Sequence, residues 1–216
     1  MTSPDAVYEG VYGPFTIDAT DRREVLGYRL ALTTVALAQL GLLLQWRLAG
    51  GLPEWPWLLL MAAGLGLALR WIHIYLRPLH RALQLFWLLG CVGGVALVRA
   101  AGGGGLLPAL ADQPLWILAI GPFFAALAGV GFKEFFCFRR PEAIGVTLLL
   151  PLALLGRLTG ALPGELTLRL LAAQAALLLL LCLRKFPMPA AADVGDKSVF
   201  EEMARQRQGG AAALRG

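Results

Sequence analysis

Residues 165–187 read ELTLRLLAAQAALLLLLCLRKFP, and this stretch decides the fold. From Leu170 to Leu183 its only polar side chain is Gln174, and the run closes on Arg184, Lys185 and Pro187. A helix on the surface of a soluble protein is apolar along one stripe, whereas this one is apolar all round. A hydrocarbon core ~30 Å thick takes ~20 such residues to cross, and a helix satisfies its own backbone there. A membrane β-barrel would instead need ~10-residue segments of alternating polarity, which a continuous Leu/Ala run does not provide.

Working outward, the same texture recurs over residues 25–46, 57–75, 80–98, 114–138 and 141–158. The expected architecture is therefore all-α, a polytopic transmembrane bundle of six spans. A tail of residues 1–24 precedes a transmembrane domain of residues 25–185, and a second tail covers 186–216. Bulk composition agrees. The 216 residues are 58% hydrophobic and 15% charged, with a mean hydropathy of +0.67. Soluble domains run nearer 45–50% apolar and about 25% charged, so a soluble or disordered chain is excluded. Residues 1–24 carry Asp5, Glu9, Asp18, Asp21 and Glu24 and no apolar core, so the first apolar run is expected to stay as a helix rather than act as a cleaved signal.

Boundary chemistry marks the same segments. Pro56, Pro114 and Pro141 sit at or just before first turns, and Glu142 and Glu165 lie where the helix dipole favours an anion. Trp46, Trp55, Trp57, Trp71, Tyr75 and Trp116 mark span ends, as interfacial aromatics do. With the N-terminus inside, fifteen of the 19 Lys and Arg residues fall on inner segments, leaving Arg47, Arg99, Arg157 and Arg169 outside. That asymmetry predicts both termini in the cytoplasm. The cations cluster at span ends rather than on a soluble face, so no nucleic-acid partner is expected.

The inner ends of the second, fourth and sixth spans share a form. They read Tyr75-Leu76-Arg77-Pro78, Cys137-Phe138-Arg139-Arg140-Pro141 and Cys182-Leu183-Arg184-Lys185-Phe186-Pro187. Three stacked helical hairpins would produce it, and so would positive-inside loops punctuated by proline. Gly90 and Gly94 form a G-x-x-x-G pair suited to close helix packing. Pro122 and Pro151 fall inside spans, where they should kink or break them. Cys91, Cys137 and Cys182 offer no disulfide framework. The glycine run from Gly102 to Gly105 lacks the Lys and Ser/Thr of a phosphate loop and reads as a flexible connection.

Few residues are candidates for chemistry. Lys133 and Glu134 interrupt the fourth span, and charges within a span are functional candidates because they are costly there. They form an ion pair with each other or with Arg77, Arg139 or Arg140, an interfacial segment, or a transport site. Arg70, Arg77, Arg81, Arg139 and Arg140 make a cationic inner rim that suits anionic lipid or an acidic partner loop, and membrane topology alone also accounts for it. His73 is the one candidate for axial ligation of a cofactor, set against an ordinary interfacial histidine; no cofactor is otherwise implied. No metal-spaced Cys/His cluster, G-x-S-x-G or H-E-x-x-H occurs, so an enzyme is not expected. In the tails, Tyr8, Tyr12 and Phe15, separated by Gly and Pro, suggest an extended segment on the inner surface. Ser198 and Glu201 fit a capping box that opens a short amphipathic helix near residues 199–207, stopped by Gly209 and Gly210.

The stretch Lys133-Glu134-Phe135-Phe136-Cys137-Phe138, with Arg140-Pro141-Glu142-Ala143, Leu148-Leu149-Leu150-Pro151-Leu152 and the earlier Gly13-Pro14-Phe15-Thr16-Ile17, resembles an uncharacterised integral-membrane family found mainly in cyanobacteria. The resemblance implies a multi-pass protein of a bacterial plasma or thylakoid membrane and carries over no catalytic motif or site residue. The expected role is a non-enzymatic accessory, scaffold or assembly component of a membrane complex, with membrane lipids and other subunits as partners. The alternative is a small-solute or ion transporter using Glu134 and Lys133.

Overall fold

The computed structural model describes residues 7–48, 52–102 and 105–213. In chain order the elements are β1 (Val7–Gly10), β2 (Gly13–Thr16), α1 (Ala19–Leu48), α2 (Trp55–Trp71), α3 (Arg77–Ala101), α4 (Leu106–Asp112), α5 (Trp116–Phe138), α6 (Pro141–Leu158), α7 (Gly164–Lys185), α8 (Ala190–Val194) and α9 (Lys197–Ala213). Five helices, α1, α3, α5, α6 and α7, are long and apolar enough to cross a membrane, and α2 is a shorter apolar helix of 17 residues. The molecule is a polytopic helical bundle.

The helices run up and down around a shared core. Trp71 lies on Gly27 and Trp57 on Gly41, which sets α2 antiparallel to α1. Trp87 of α3 covers Gly66 of α2, and its Nε1 donates to the Ala62 carbonyl at 2.8 Å. Phe123 and Ala119 of α5 meet Gly90 and Gly93 of α3. Thr147 of α6 hydrogen-bonds the Ala128 carbonyl of α5, Leu177 of α7 sits on Gly145 of α6, and α7 returns to α1 through Gln39 and Gln174. Consecutive spans pair as α1/α2, α3/α5 and α6/α7, which is a three-hairpin arrangement. Helix α2 lies antiparallel along α1, and its 17 residues stand at the lower limit for a span.

Several boundaries differ from the hydropathy reading. Helix α1 starts at Ala19, because Asp18 and Asp21 form a reciprocal cap: Thr20 N and Asp21 N donate to Asp18 Oδ1 at 2.7 and 2.9 Å, and Asp18 N donates to Asp21 Oδ2 at 2.9 Å. Hydropathy finds where charge stops, whereas the cap fixes where the helix begins. Helix α2 ends at Trp71, with Ile72 already extended, although the apolar run continues to Tyr75. Helices α5 and α6 continue through Pro122 and Pro151. The close contact on α3 uses Gly90 and Gly93 rather than Gly90 and Gly94. A Cβ at Gly93 would lie 2.0 Å from the Ala119 carbonyl oxygen, while nothing lies within 4 Å of one at Gly94. Gly103 and Gly104 of the glycine run lie outside the described residues.

The tails are built rather than trailing. Tyr8 to Phe15 forms a β-hairpin with a Val11-Tyr12 turn, its two rings stacked at 5.6 Å. Together with Ile17, Val25, Val194, Ala190 and Ala191 it makes a second small apolar core. Helix α9 starts at Lys197 and is capped by Asp196, whose Oδ1 accepts from Ser198 N at 2.9 Å and Ser198 Oγ at 2.6 Å. Ser198 is thus the capped residue and not the cap. The helix runs through Gly209 and Gly210 to Ala213, where three alanines favour continuation.

Candidate functional site

One polar cluster stands out at the tail-bearing end of the bundle. Its residues come from four helices. Tyr28 and Arg29 lie on α1 within its first three turns, Lys133 and Glu134 lie near the end of α5, Lys185 closes α7, and Asp193 belongs to α8. All are buried, and Glu134 is fully so. The tail-bearing half of α5 sets this up by geometry. Phe132 and Phe136, four residues apart, stack on the exposed face, so Lys133 and Glu134 turn inward.

Both carboxylate oxygens of Glu134 are occupied. Oε1 accepts from Tyr28 Oη at 2.6 Å and from Lys133 Nζ at 3.2 Å, and Oε2 accepts from Lys185 Nζ at 2.5 Å. Lys185 also pairs with Asp193 Oδ1. Arg29 donates to Asp193 Oδ2 through Nε at 2.8 Å and Nη2 at 2.6 Å. Its remaining donors reach the carbonyls of Met188 at 2.9 Å and of Phe186 and Pro189 at 3.4 Å, so the α7–α8 turn wraps the guanidinium. Aromatic faces close the remaining sides: Lys185 Nζ lies 4.3 Å from the Phe138 centroid and Lys133 Nζ 5.6 Å from that of Tyr28. Three cations face two carboxylates, a dense arrangement that a low-dielectric interior tolerates only with such complete pairing.

The cluster joins the spans to the tails, and a second set of contacts continues outward from it. Lys197 Nζ donates to Asp21 Oδ2 at 2.8 Å. Asp196 N donates to Tyr75 Oη at 2.6 Å, and Tyr75 stacks on Phe200 at 4.5 Å. Val11 N donates to Asp196 Oδ2 at 2.7 Å, and Tyr12 N to Ser198 Oγ at 3.0 Å. Gly195 has φ +77, and a Cβ there would meet Tyr75 Oη at 2.4 Å, so this turn admits glycine alone. The hairpin, α8 and α9 therefore form one cap over the cluster.

The rim residues are distributed differently from Lys133 and Glu134. Arg139 takes a left-handed backbone (φ 50, ψ 36) at the end of α5 and is exposed. Arg140 Nη2 reaches Met188 Sδ at 3.2 Å. Neither they nor Arg77 pairs with Glu134, because the turn after Phe138 carries them out of the bundle. Arg70, Arg77 and Arg81 are exposed around the α2–α3 connection. His73 lies there too, 3.8 Å from Glu24 and edge-on to Phe200, and burial lowers its pKa. Among the described residues no three His, Cys, Asp or Glu side chains gather as a metal site.

A family model matches residues 67–202, well over half the chain. The chain belongs to DUF2301, a family of uncharacterized integral membrane proteins. No curated protein and no solved structure matches it. The DUF2301 segment opens inside α2 and closes inside α9, so it holds Lys133, Glu134, Lys185 and Asp193 but leaves Tyr28 and Arg29 to the preceding helix.

Sequence inspection finds Lys133 and Glu134 as charges within a span and misses Tyr28, Arg29, Lys185 and Asp193. Arg29 reads only as one of the inner-segment cations, Lys185 as part of the cationic inner end of the sixth span, and Asp193 as a tail residue beyond that span. One signal was present. Arg29 follows Val25 and Tyr28 and precedes an uncharged run to Gln39, so it too lies within a helix that must bury it.

Proposed function

We propose that the protein is a non-enzymatic accessory, scaffold or assembly component of a larger complex in a bacterial plasma or thylakoid membrane, with both tails in the cytoplasm. The observation that supports this best is the cap. Two tails of ordinary composition fold into an ordered platform, anchored to three spans through Glu134 and Asp193. An ordered surface fixed to a bundle, with Val7, Val11 and Tyr12 exposed on its hairpin, offers neighbours a defined docking face. The unequal distribution of Lys and Arg supports the orientation. The resemblance to a mainly cyanobacterial family directs the search toward photosynthetic complexes.

A transporter using Glu134 and Lys133 is the second reading. It draws on Gln39 and Gln174, which bond at 2.5 Å within the α1/α7 seam and keep one amide group each without a partner among the described residues. The cluster weighs against it, because a carrier carboxylate has to exchange its ligand and Glu134 is saturated by fixed protein donors.

Gentle detergent extraction of tagged protein from its own membranes tests the proposal, with native size and an absorbance spectrum as readouts. The expected particle is much larger than 23.1 kDa plus detergent, with co-purifying subunits identified by mass spectrometry. A colourless particle of monomer or small-oligomer size would overturn it.

A further inference from the structure

A groove of about 430 Å³ lies between α2 and α3 near the tail-bearing end. This is within the roughly 300–1,000 Å³ of ordinary ligand sites. Gly66, Leu69, Leu85, Trp87 and Leu88 make it apolar, and Arg70 and Gln84 stand in its wall. Its floor is fixed. Trp87 packs against Gly66, where a Cβ would meet the ring at 2.6 Å, and its Nε1 is tied to the Ala62 carbonyl. Its lower edge is fixed too, because His80 Nε2 donates to the Leu69 carbonyl at 2.6 Å.

The charge around this groove is unbalanced. Arg77, Arg81, Leu85 and Leu88 follow one another at i, i+4, i+8 and i+11, so the face of α3 that lines the groove continues into two guanidiniums. Arg70 faces them from α2. All three are exposed and have no acidic partner among the described residues. Several other cations of the same end are engaged: Arg184 pairs with Glu142 at 3.2 Å, Lys197 with Asp21, and Lys133 and Lys185 with Glu134. Leu85 and Leu88 are about half exposed, so the apolar part opens sideways to lipid.

We propose that this groove is a binding site for an anionic glycerophospholipid, with an acyl chain along Gly66, Leu85 and Leu88 and the phosphate held by Arg70 and Arg81. The ligand must carry both features, because Arg70 lines the groove beside its apolar residues and Arg81 stands one turn before Leu85 on the same face of α3. Guanidinium forks suit phosphate oxygens, and with the tails in the cytoplasm, as proposed above, the cytoplasmic leaflet supplies the anionic headgroups.

Native mass spectrometry of the full chain, released from detergent doped with phosphatidylglycerol or phosphatidylcholine, tests the site. Wild type should retain one phosphatidylglycerol in preference to phosphatidylcholine. Arg70→Gln and Arg81→Gln should each cut that retention about fivefold, the effect of one surface cation. Arg139→Gln, an exposed cation at the same end but away from the groove, should leave it unchanged. Leu88→Trp, which fills the groove at an exposed position, should reduce retention with every arginine in place. Equal retention of the two lipids overturns the proposal. So does an Arg139→Gln loss as large as that of Arg70→Gln, which would mean diffuse surface charge. Full competition by soluble glycerol phosphate overturns it too, by assigning the arginines to a free phosphate.

Discussion

The two ends of the bundle are held together by different forces. At the tail-bearing end, six polar side chains from four helices share hydrogen bonds, and the tails fold over them. At the far end the polar side chains pair at the exposed surface, as Glu165 does with Arg47 and Arg169, and an apolar cavity of about 450 Å³ opens among α1 to α5, lined by Trp46, Trp55, Leu97, Leu106 and Phe123. Between the two ends, contact depends on small residues such as Gly64, Gly90 and Gly93. In a bilayer no hydrophobic effect separates helix from lipid, so shape and hydrogen bonds must specify the pairing. The difference teaches that this protein fixes its helix arrangement from one end and leaves the other end adaptable.

The largest expected effect breaks that comparison at its rigid end. Glu134→Ala leaves Lys133 and Lys185 facing each other beside Asp193 without their shared acceptor. Removing one partner of a buried ion pair costs about 3–5 kcal/mol. The thermal midpoint in detergent should fall sharply, and the C-terminal tail should become open to proteolysis. A midpoint unchanged by Glu134→Ala would mean that the far end, and not the cluster, holds the bundle.

A middle-sized effect tests the central contacts. Gly93→Ala drives a methyl into the Ala119 carbonyl, and overpacking of this kind costs about 1–3 kcal/mol. Gly94→Ala faces open space beside the cavity and should stay within about 0.5 kcal/mol. Thermal melts of the two variants side by side should separate them. Equal costs would restore the G-x-x-x-G spacing as the contact face.

Much of this was legible in the sequence, and the limits have physical causes. Six apolar runs give six helices, and residues 141–158 are bounded by Pro141 and by Gly160 just past the end, so α6 has the expected limits. Helix α2 is shorter than its hydropathy because residues 72–76, apolar but for His73, are needed as an extended link into α3. G-x-x-x-G marks a close contact on α3 but not its register, since Gly90, Gly93 and Gly94 lie on adjoining faces. Lys133 and Glu134 stand out because charge in an apolar run is conspicuous. Their partners do not, because Tyr28 and Lys185 reach Glu134 only through the order of helices around the bundle. Nothing local to Asp193 announces that it anchors Arg29.

The smallest effects sharpen the contrast between buried and exposed electrostatics. Lys197→Met removes a partly exposed pair with Asp21 and should cost about 0.2–1 kcal/mol, read as faster proteolysis between α8 and α9. The pH response of the same cap has a defined sign. The Ser198 hydroxyl holds the Asp196 carboxyl below the usual range, and the Asp21 backbone amide does the same for Asp18. Their contribution is present above the ordinary carboxylate pKa and is lost as pH falls through the lowered values. The Asp21 carboxylate raises Lys197, whose contribution is present below the ordinary lysine pKa and is lost as pH rises through the raised value. Spin labels on the hairpin and α9 should therefore keep one separation from roughly pH 4 to 10 and spread beyond both limits.

The most direct test of the central claim, that Glu134 locks the bundle and does not carry a proton, is proton flux into sealed vesicles reconstituted with wild-type protein or Glu134→Gln, each checked for a folded, monodisperse state. Flux of wild-type vesicles at the protein-free background, with Glu134→Gln the same, is the predicted result. Wild-type flux well above background that a folded Glu134→Gln abolishes would contradict it and make Glu134 a carrier.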